Sequence, residues 1–549
     1  MNEQENPNKN QVIDVAIVGG GVSGAYTGWR LMKSKKFAKV HLYELSDRIG
    51  GRLLSVPVPG MPHIQAELGG MFFSEAQAIV WELVKLMQLN VVEGTVEDEN
   101  NLLYLRGKHL RFKDIPNPQQ VPYNLQYQEM GMSSDDLYAY AVQSVIPTGK
   151  ELTPDYFKSP QWQQIREHWQ VQGEHLYNIS IWDLLLKVLS SEAYNLCLDT
   201  GFFYSDLGTW NAAQAIESSM SVPYDQKWFM LEKGYEQLPK TLAAEFEREG
   251  GWVHCHHRLT KFQYNQSTQL IELQFVDQMG QPQPPVQAKH LVLAMPKRAL
   301  ELLAEQNPDN FLFQNPQFVT NMQTVTGAPA YKLFLGYDYP WWRNVGVKAG
   351  HSSTDLPMRQ CYYFGTESEQ PGGDPNNSRS LLLANYPDDR AASFWRSMAY
   401  DPQVPEKHPA FEGESARTTL KTSFLNIDYT PYVEPLVASR NMVQTAQQQL
   451  KALHGISYIP QPYTAMYLDW TKDPYGGGWH SWNPHCKPWE IMQQMRHPIT
   501  GINLYICGEA YSNVQSWVQG ALNSAELMLE ENFKLDRPEW LPPDYDLGP

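Results

Sequence analysis

Several features that mark specialised proteins are missing from this sequence. It has five cysteines among 549 residues and no C-x-x-C pair, which argues against a disulfide scaffold or a structural zinc site and suits a reducing compartment. No stretch approaches the roughly 20 apolar residues that cross a bilayer, so we expect no integral membrane protein. The beginning of the chain carries no apolar core after a basic start. We therefore expect no ordinary secretory signal and a cytoplasmic location, with export by another route left open.

Positive charge is also in short supply. Lysine and arginine total 43 against 60 aspartates and glutamates, a net charge of −17, and such a chain repels the phosphate backbone of nucleic acids. The 42% hydrophobic and 19% charged residues are typical of a globular protein. The length predicts about three or four folding units, or two large interleaved domains. The aromatic content of 12% fits an enzyme with a large ring-lined cavity.

The clearest positive signal is a glycine-rich turn between a strand and a helix. A β-branched run predicts a buried parallel strand, and a second strand follows the helix within about thirty residues, as a dinucleotide-binding unit requires. In chain order this unit consists of strand Val12–Val18, the turn Gly19-Gly20-Gly21-Val22-Ser23-Gly24, helix Ala25–Lys33 and strand Val40–Glu44.

Each glycine of the Gly19-x-Gly21-x-x-Gly24 turn has a separate task. The first allows the tight turn, the second lets the backbone approach a pyrophosphate, and the third lets the helix pack close to the strand. The phosphate then meets the N-terminus of the helix, where Ser23 lies. Glu44, at the end of the second strand, is placed to accept hydrogen bonds from an adenosine ribose. These residues predict a Rossmann-like nucleotide site.

A second glycine turn, Arg48-Ile49-Gly50-Gly51-Arg52, follows directly. Arginine suits a further pyrophosphate contact because its planar fork pairs with two oxygens. A nicotinamide dehydrogenase has no need of this turn immediately after the ribose acid. The motif therefore favours FAD over NAD as the cofactor.

The rest of the chain predicts further segments around this unit. Helical periodicity from about Ser133 to Met220, with a capping box beginning at Ser180, is typical of an inserted domain. Other predicted elements are helix Ser74–Asn90, strands Trp252–His257, Tyr331–Gly336 and Leu504–Cys507, and helix Gln519–Leu529. We predict a discontinuous FAD-binding domain of residues 11–75, 230–330 and 465–530, a helical and substrate-binding insertion of 76–229, a substrate-binding domain of 331–464 and a Pro-rich surface tail of 531–549.

With its glycine turns and Glu44, the chain resembles the flavin amine oxidase superfamily, which includes monoamine, polyamine and L-amino-acid oxidases. The segments Gly508-Glu509-Ala510-Tyr511 and Ser516-Trp517-Val518-Gln519-Gly520 are similar to the closing FAD motif of that family. The resemblance implies an α/β fold. It would pair a Rossmann-like, glutathione-reductase-like FAD-binding domain of interleaved segments with a mixed-sheet and helical substrate-binding domain.

The resemblance also implies which residues hold the cofactor. Glu509 would contact FAD near its ribityl and phosphate region, and Trp517 and Val518 would run past the isoalloxazine. The helix that follows would point its N-terminus toward the flavin and stabilise negative charge on the reduced ring. The backbone of Leu259 would meet the adenine. The full implied set is Gly19, Gly21, Ser23, Gly24, Glu44, Arg52, Gly69, Gly70, Met71, Leu259, Glu509, Trp517 and Val518.

A closer resemblance links the chain to bacterial L-amino-acid oxidases. It rests on Ser353-Thr354-Asp355-Leu356-Pro357-x-Arg359-x-x-Tyr362-Tyr363 and on Asp473-Pro474-Tyr475-Gly476-Gly477-Gly478-Trp479-His480. In that branch a tyrosine of the pair Tyr362-Tyr363 binds the substrate carboxylate. Trp479 or His480, together with Trp517, would form an aromatic cage beside Ser516. Because Trp479 stands where monoamine oxidases carry the cysteine that links the flavin, we expect noncovalent FAD.

The chain departs from the amino-acid oxidase pattern at one position. After Glu67-Leu68-Gly69-Gly70-Met71 those enzymes place an arginine that forks onto the substrate carboxylate, whereas this sequence has Phe72. Losing a bidentate pair removes a strong, charge-assisted contact. Either another group, such as Arg359 or a tyrosine, holds the carboxylate, or the substrate has none there.

Lys332 is the predicted catalytic residue. It lies in the otherwise apolar strand Ala330-Tyr331-Lys332-Leu333-Phe334-Leu335, where a lysine needs a partner. The resemblance implies that it holds a water against flavin N5. The alternative is a strand-edge lysine that extends to solvent.

These observations predict an FAD-dependent oxidase of a C–N bond. The favoured substrate is an L-amino acid with a large, in particular aromatic, side chain. By resemblance, hydride passes from its α-carbon to flavin N5 and oxygen is the acceptor. The products would be an imine, hydrolysed to a 2-oxo acid, with ammonia and hydrogen peroxide. We also expect a homodimer.

Three alternatives stay open beside this prediction. The substrate is an amine or a carboxylate-masked amino acid derivative, the enzyme is a related dehydrogenase or desaturase that makes little peroxide, or the flavin is structural. A metal site is the least supported idea. His254 and His256 are predicted on one strand face, but no carboxylate or second cysteine joins them nearby.

Overall fold

The protein is described here from a computed structural model, in which residues 12–146, 152–201, 203–221, 226–399 and 436–549 are described. The α-helices in these ranges are α1 Val22–Lys33, α2 Ala78–Leu86, α3 Ser134–Val145, α4 Pro160–His168, α5 Ile181–Leu186, α6 Ser191–Thr200, α7 Ala212–Met220, α8 Gln237–Arg248, α9 Lys297–Gln306, α10 Pro316–Met322, α11 Asp389–Arg396, α12 Arg440–His454, α13 Pro488–Arg496 and α14 Val518–Asn532.

The strands, in chain order, are β1 Val12–Val18, β2 Val40–Tyr43, β3 Ser55–Val58, β4 Met61–Glu67, β5 Phe73–Ser74, β6 Val91–Gly94, β7 Leu102–Leu105, β8 Lys108–Arg111, β9 Gln170–Val171, β10 Glu174–His175, β11 Trp228–Leu231, β12 Trp252–His254, β13 Arg258–Asn265, β14 Leu270–Val276, β15 Val286–Leu293, β16 Val325–Ala328, β17 Tyr331–Tyr337, β18 Gly350–Thr354, β19 Gln360–Thr366, β20 Ser380–Asn385, β21 Leu436–Val437, β22 Thr464–Asp469, β23 Trp479–Trp482 and β24 Leu504–Ile506.

A seven-stranded sheet forms the first half of the architecture. Its parallel core runs in the order β12-β2-β1-β15, with β24 also parallel to β15, and β14 and β13 continue it as an antiparallel meander. In β1, Val15 pairs with Val40 on one side and His290 on the other. The strand is buried between both neighbours, which is why its sequence is apolar without alternation. Strands from three distant stretches of the chain thus meet in one sheet.

An eight-stranded sheet forms the second half. Its order is β21-β22-β17-β20-β19-β18-β7-β8, and β17, which carries Lys332, is buried along its whole length between β22 and β20. A smaller sheet, β5-β11-β6, joins the segment after β4 to the strand before α8. The boundaries predicted for the domains stay a prediction, and positions 400–435 of the 331–464 segment lie outside the described residues.

The helices confirm most of the predicted elements. Helices α3 to α7 occupy the stretch from Ser134 to Met220, and Ser180 and Asp183 form the predicted capping box at the start of α5. Helix α14 spans the predicted C-terminal helix. It is tied to α1 by a buried ion pair of 2.7 Å between Arg30 Nη2 and Glu526 Oε1.

Some predictions were wrong at their ends. The helix predicted from Ser74 is shorter, because Ser74 pairs with Trp228 in the small sheet and α2 begins at Ala78. Strand β12 ends at His254, because His256 has a φ of +59°. The predicted sharing of a strand face by these two histidines is therefore wrong.

The C-terminal tail, predicted to lie on the surface, is partly buried. Trp540 packs at 6.4 Å from the rings of both Tyr26 and Trp29, and Leu541 and Leu547 are buried. The tail therefore covers α1 instead of lying loosely on the surface. Among the described residues no helix is long and apolar enough to cross a membrane. The expected lack of a signal concerns residues 1–11, which lie outside the described ranges.

Candidate active site

The three glycines of the first turn differ in what surrounds them. A Cβ on Gly24 would lie 1.9 Å from the Gly19 carbonyl oxygen, and one on Gly19 would lie 2.2 Å from the Ala294 oxygen. These two glycines let the turn and helix α1 pack against the sheet. A Cβ on Gly21 would meet only Gly51 Cα, at 3.9 Å. Gly21 therefore leaves backbone open to a ligand, as a pyrophosphate requires.

A cleft lies beside this turn, and we call it the cofactor cleft. Of the residues predicted to bind FAD, its lining includes Gly19, Gly21, Ser23, Glu44, Arg52, Gly70, Leu259, Glu509, Trp517 and Val518, and Ser516 lies beside them. Gly24, Gly69 and Met71 support the wall from behind. A Cβ on Gly69 would lie 2.0 Å from the Arg52 carbonyl oxygen, and Met71 packs in the core.

Two helices begin at the cofactor cleft. Val22 and Ser23 in the first turn of α1, and Val518 in the first turn of α14, line it, and neither helix has a side-chain cap. The first N–H groups of a helix and its dipole favour negative charge. The cleft therefore offers two positive ends to an anionic ligand.

Glu44 is held firmly at the carboxyl end of β2. Its Oε2 accepts from the Gly20 N–H at 2.6 Å, and its Oε1 accepts from the Ser46 N–H at 2.9 Å and the Ser46 hydroxyl at 2.7 Å. A carboxylate has about four acceptor sites. These three donors leave room for a hydroxyl of a ribose.

Glu509 is the most constrained carboxylate of the cleft. It accepts hydrogen bonds from the backbone N–H of His480 at 2.9 Å and of Ser516 at 2.8 Å, and its Oε2 lies 2.9 Å from Arg52 Nη2 and 2.8 Å from His480 Nδ1. Burial works to raise the pKa of Glu509. The charges of Arg52 and His480 and these hydrogen bonds outweigh burial and lower that pKa to about 2. The carboxylate is thus ionised at any physiological pH.

The two arginines of the second glycine turn have different hydrogen-bond partners. Arg48 Nη1 donates to the Leu53 carbonyl at 2.9 Å and to Glu236 at 2.8 Å, so it braces the loop internally. Arg52 lines the cleft, where its Nη1 donates to the Gly478 carbonyl at 3.1 Å. The predicted further phosphate contact therefore falls to Arg52 alone.

The residues of the cofactor cleft fit a flavin dinucleotide. Gly21 leaves an open backbone for a pyrophosphate, two helix N-termini face the same space, and Glu44 retains capacity for a ribose. Apolar side chains of Leu302, Leu303 and Leu259 line the cleft as well, which suits an aromatic base.

A second cavity lies next to the first, and we call it the aromatic chamber. Its apolar lining consists of Ile64, Phe72, Val92, Met230, Leu231, Ala349, Tyr362, Tyr363 and Phe364, with Gly94, Gly350 and Gly365, and its polar lining of His63, Gln65, Glu67, Glu93, Thr95, Glu232 and Gln370. The segment Glu67–Phe72 separates the two cavities, because Gly70 lines the cleft while Glu67 and Phe72 line the chamber.

The hydroxyls of the tyrosine pair are engaged by the protein. Tyr362 Oη donates to Gln360 Oε1 at 3.0 Å. Tyr363 Oη donates to Ser352 Oγ at 2.8 Å and lies 2.9 Å from His454 Nε2. Both residues line the aromatic chamber, although the ring of Tyr363 packs against Trp342 and His454. Neither hydroxyl is unpaired for a carboxylate.

Lys332 is buried under the segment that divides the cavities. Its Nζ donates to the carbonyl oxygens of Glu67 at 3.0 Å and Gly69 at 2.7 Å, and it lies 4.5 Å from the centre of the Tyr386 ring. Burial lowers the pKa of Lys332, and the nearby Glu67 opposes this. Burial likewise raises the pKa of Glu67. The strand-edge alternative is excluded, because the ammonium does not reach solvent.

A cluster of rings meets the Lys332 ammonium through Tyr386. Tyr386 lies 6.3 Å from both Tyr362 and Trp479, and Phe203 lies 4.9 Å from Tyr386 and 5.3 Å from Trp479. Sequence reasoning missed Tyr386 and Phe203, which belong to no motif. Trp479 belongs to this cluster and donates through Nε1 to Ser205 Oγ at 3.2 Å.

The residues of the predicted aromatic cage have different surroundings. Trp517 lines the cofactor cleft and stacks on Trp228 at 5.4 Å, a partner that no motif indicated. Trp479 lies in the ring cluster, and His480 is buried against Glu509. His480 therefore positions the carboxylate of Glu509.

Arg359 does not reach either cavity. Its Nη1 donates to Asp199 at 2.9 Å, and its guanidinium stacks on Tyr204 at 4.4 Å, with Arg390 at the same distance from that ring. Together with Arg390 it clamps Tyr204 of the helical insertion. The structure thus gives Arg359 a partner inside the protein in place of the proposed substrate carboxylate.

The histidines that raised the question of a metal are paired in another way. His254 Nε2 lies 2.9 Å from His41 Nδ1. In the part of the chain that the structure describes, no three metal-ligating side chains come together. All five cysteines are free thiols.

Comparisons with known proteins agree with this geometry. The family model of flavin containing amine oxidoreductases matches residues 22–527. Aplysianin-A of Aplysia kurodai is 26% identical over 95% of this chain and 91% of its own length, and achacin of Lissachatina fulica is 25% identical over 97% and 95%. An L-amino-acid oxidase of Crotalus adamanteus is 23% identical over 64% of this chain and 62% of its own.

The fold is shared with solved structures. Wild-type putrescine oxidase bound to putrescine superposes with a TM-score of 0.65 at 16% identity, covering 96% of this chain and all of that one (100%). The predicted fold class is thereby confirmed. The chain belongs to the family of flavin-containing amine oxidoreductases, and it is an FAD-dependent amine or amino-acid oxidase.

Proposed function

We propose that this enzyme deaminates an L-amino acid with a large side chain, giving a 2-oxo acid, ammonia and hydrogen peroxide. The observation that carries the proposal is the aromatic chamber, which lies beside Lys332 and shares the segment Glu67–Phe72 with the cofactor cleft. The name of the Crotalus adamanteus relative supports the amino-acid class.

The proposed cofactor contacts follow from the cleft. Gly21, Ser23, Glu44, Arg52 and Glu509 would hold FAD, which when bound supplies the two-electron acceptor for the C–N bond. We propose noncovalent attachment, because Trp479 follows the glycine run where a covalent link would need a thiol. Among the described residues, no cysteine lines the cleft.

Lys332 is assigned a proton-transfer role. An amine is oxidised in its neutral form, so a group must hold and pass on the proton near neutral pH. Burial brings the pKa of Lys332 down toward that range, where a general acid–base group is most effective. The carbonyls of Glu67 and Gly69 fix its Nζ and leave one of its three N–H groups for water.

A second candidate substrate class is favoured by Phe72. His63 on the chamber lining is hydrogen-bonded to Glu367, and no arginine or lysine lines the chamber in the described ranges. A free carboxylate that approaches position 72, where the amino-acid oxidases place their arginine, would therefore lack a strong partner. This favours an amine, or an amino acid derivative with a masked carboxylate.

Anaerobic titration of the purified enzyme tests the proposal. An L-amino acid with a large side chain should bleach the flavin band, and air should restore it with one peroxide per turnover. Bleaching by amines alone would establish the second candidate. Bleaching without peroxide in air would indicate a dehydrogenase, and a flavin that no C–N substrate bleaches would refute both substrate classes.

We also propose a cytoplasmic homodimer. The five free thiols suit a reducing compartment. Cell fractionation tests the location, and light scattering of the purified enzyme tests the oligomeric state. A secreted enzyme or a monomeric mass would contradict the corresponding part.

A further inference from the structure

We infer that the aromatic chamber binds the side chain of the substrate, and that the contact between Gly94 and Phe72 sets its size. The chamber then selects a large, uncharged, planar apolar side chain. This inference rests on the proposed C–N oxidation and adds to it the residues that decide which substrate fits.

The chamber lies near one particular end of the cofactor cleft. Trp228 and Met230 lie two residues apart on β11, so they share one face of that strand. Trp228 stacks on Trp517, which lines the cleft, while Met230 lines the chamber. A ligand in the chamber is therefore adjacent to the Trp517 end of the cleft.

Gly94 determines where the Phe72 ring lies. A Cβ on Gly94 would lie 2.7 Å from Phe72 Cε1, closer than carbon atoms approach in proteins, and 3.3 Å from Cδ1, a tight contact. Only glycine therefore lets the ring lie flat on β6. On its other side Phe72 faces Tyr362, with ring centres 6.3 Å apart. Any larger residue at position 94 would push the ring of Phe72 into the chamber.

The chemistry of the lining defines the ligand class. Phe72, Met230 and Tyr362 present apolar and aromatic surface, which prefers a planar ring in offset or edge contact. Glu93 and Glu232 border the chamber and repel an acidic side chain. A neutral aromatic side chain satisfies both conditions.

The test compares the Gly94→Ala holoenzyme with the wild type. The ratio of kcat/KM for L-tryptophan or L-phenylalanine to that for L-alanine should fall at least tenfold, mainly through KM. In a Phe72→Ala background the same Gly94→Ala change should have no effect on the ratio, because the ring with which it collides is gone. Val91→Ala, on the same strand but outside the chamber lining, is the matched control.

Calorimetric titration with indole measures binding affinity independently of turnover. Indole is a neutral ring without an oxidisable C–N substrate group. Gly94→Ala should weaken indole binding at least tenfold relative to the wild type and to Val91→Ala. If the wild type oxidises amino acids but its selectivity and indole affinity are unchanged by Gly94→Ala, the inference is overturned. If indole binding responds as expected but no C–N substrate bleaches the flavin, the chamber assignment stands and the proposed function fails.

Discussion

The cofactor cleft and the aromatic chamber share the segment Glu67–Phe72 but are built in different ways. The cleft is formed largely by backbone and by short contiguous motifs, such as the turn from Gly19 to Gly24. The chamber is formed by side chains from β4, β6, β11 and β19, which only tertiary pairing brings together. A cofactor common to a family is bound by local motifs, whereas a substrate pocket depends on long-range packing that can vary.

The largest expected effect separates two glycines of the same turn. Gly24→Ala places a methyl group 1.9 Å from a backbone oxygen, so we expect loss of flavin and of about 3 kcal/mol or more of stability. Gly21→Ala has space for the methyl group but blocks the approach of a ligand. Its apoprotein should unfold like the wild type while FAD binds on the order of 100-fold more weakly, about 3 kcal/mol.

Flavin absorbance after purification and denaturant unfolding of the apoproteins measure this difference. Equal stability loss in both variants would show that Gly21 also packs against the protein. Full flavin content in Gly21→Ala would show that the pyrophosphate of FAD does not bind at this turn.

The second effect concerns the group between the two cavities. Lys332→Met removes the buried ammonium and leaves the carbonyls of Glu67 and Gly69 without their donor, so we expect a loss of about 1–3 kcal/mol of stability in a protein that still folds and binds flavin. Turnover should fall by about 10² to 10⁴, the usual contribution of a general acid–base group. Stopped-flow measurement of flavin reduction and reoxidation assigns the loss to one half of the reaction. Unchanged rates in both halves would make Lys332 a structural residue.

The third effect depends on pH and belongs to the cleft. The pKa of Glu509 is about 2 in the folded protein against an ordinary value of 4.5. Because the pKa of Glu509 is lower in the folded than in the unfolded protein, its ionised carboxylate stabilises the fold at pH values above about 4.5. This stabilisation is lost as the pH falls from about 4.5 toward 2. The difference corresponds to about 3 kcal/mol. Urea unfolding of apo Glu509→Gln should therefore show a deficit of that order at pH 7 that shrinks by pH 3.

A deficit of Glu509→Gln that is the same at pH 7 and pH 3 would contradict the ionised role of this carboxylate. Glu531→Gln is a suitable control, because its ion pair with Arg496 lies outside the cleft and is more exposed on the glutamate side. Its deficit should be under about 1 kcal/mol at both pH values.

The sequence predicted most of the cleft but only Phe72, Tyr362 and Tyr363 of the chamber lining, and the physical reason is the range of the contacts. Glu509 and Trp517 belong to one short motif, and the backbone geometry of such a motif is local. Met230 and Gly94 become neighbours of Phe72 only because β11 pairs with β6. The same limit explains Arg359, whose partner Asp199 is 160 residues away. A motif shows that an arginine is present but not whether its charge is already paired.

The smallest effect tests that last point. Arg359→Gln leaves Asp199 without its guanidinium, although Tyr123 still donates to that carboxylate at 2.7 Å, so we expect a loss of about 2 kcal/mol. The matched change Arg390→Gln removes the more exposed of the two guanidinium groups that stack on Tyr204. The protein should then lose under about 1 kcal/mol of stability. Thermal unfolding of the holoenzymes compares the two.

Kinetics then decide between a clamp and a carboxylate anchor. Because Arg359 contacts Tyr204 and Asp199 and lines neither cavity, Arg359→Gln should change KM for amino acids and for the corresponding amines by the same factor. An anchor would raise KM for the amino acids alone, since the amines have no carboxylate to lose. Such a selective rise in KM would mean that the Arg359 guanidinium leaves Asp199 when substrate binds. Arg359 would then take over the role of the arginine that the chain lacks at position 72.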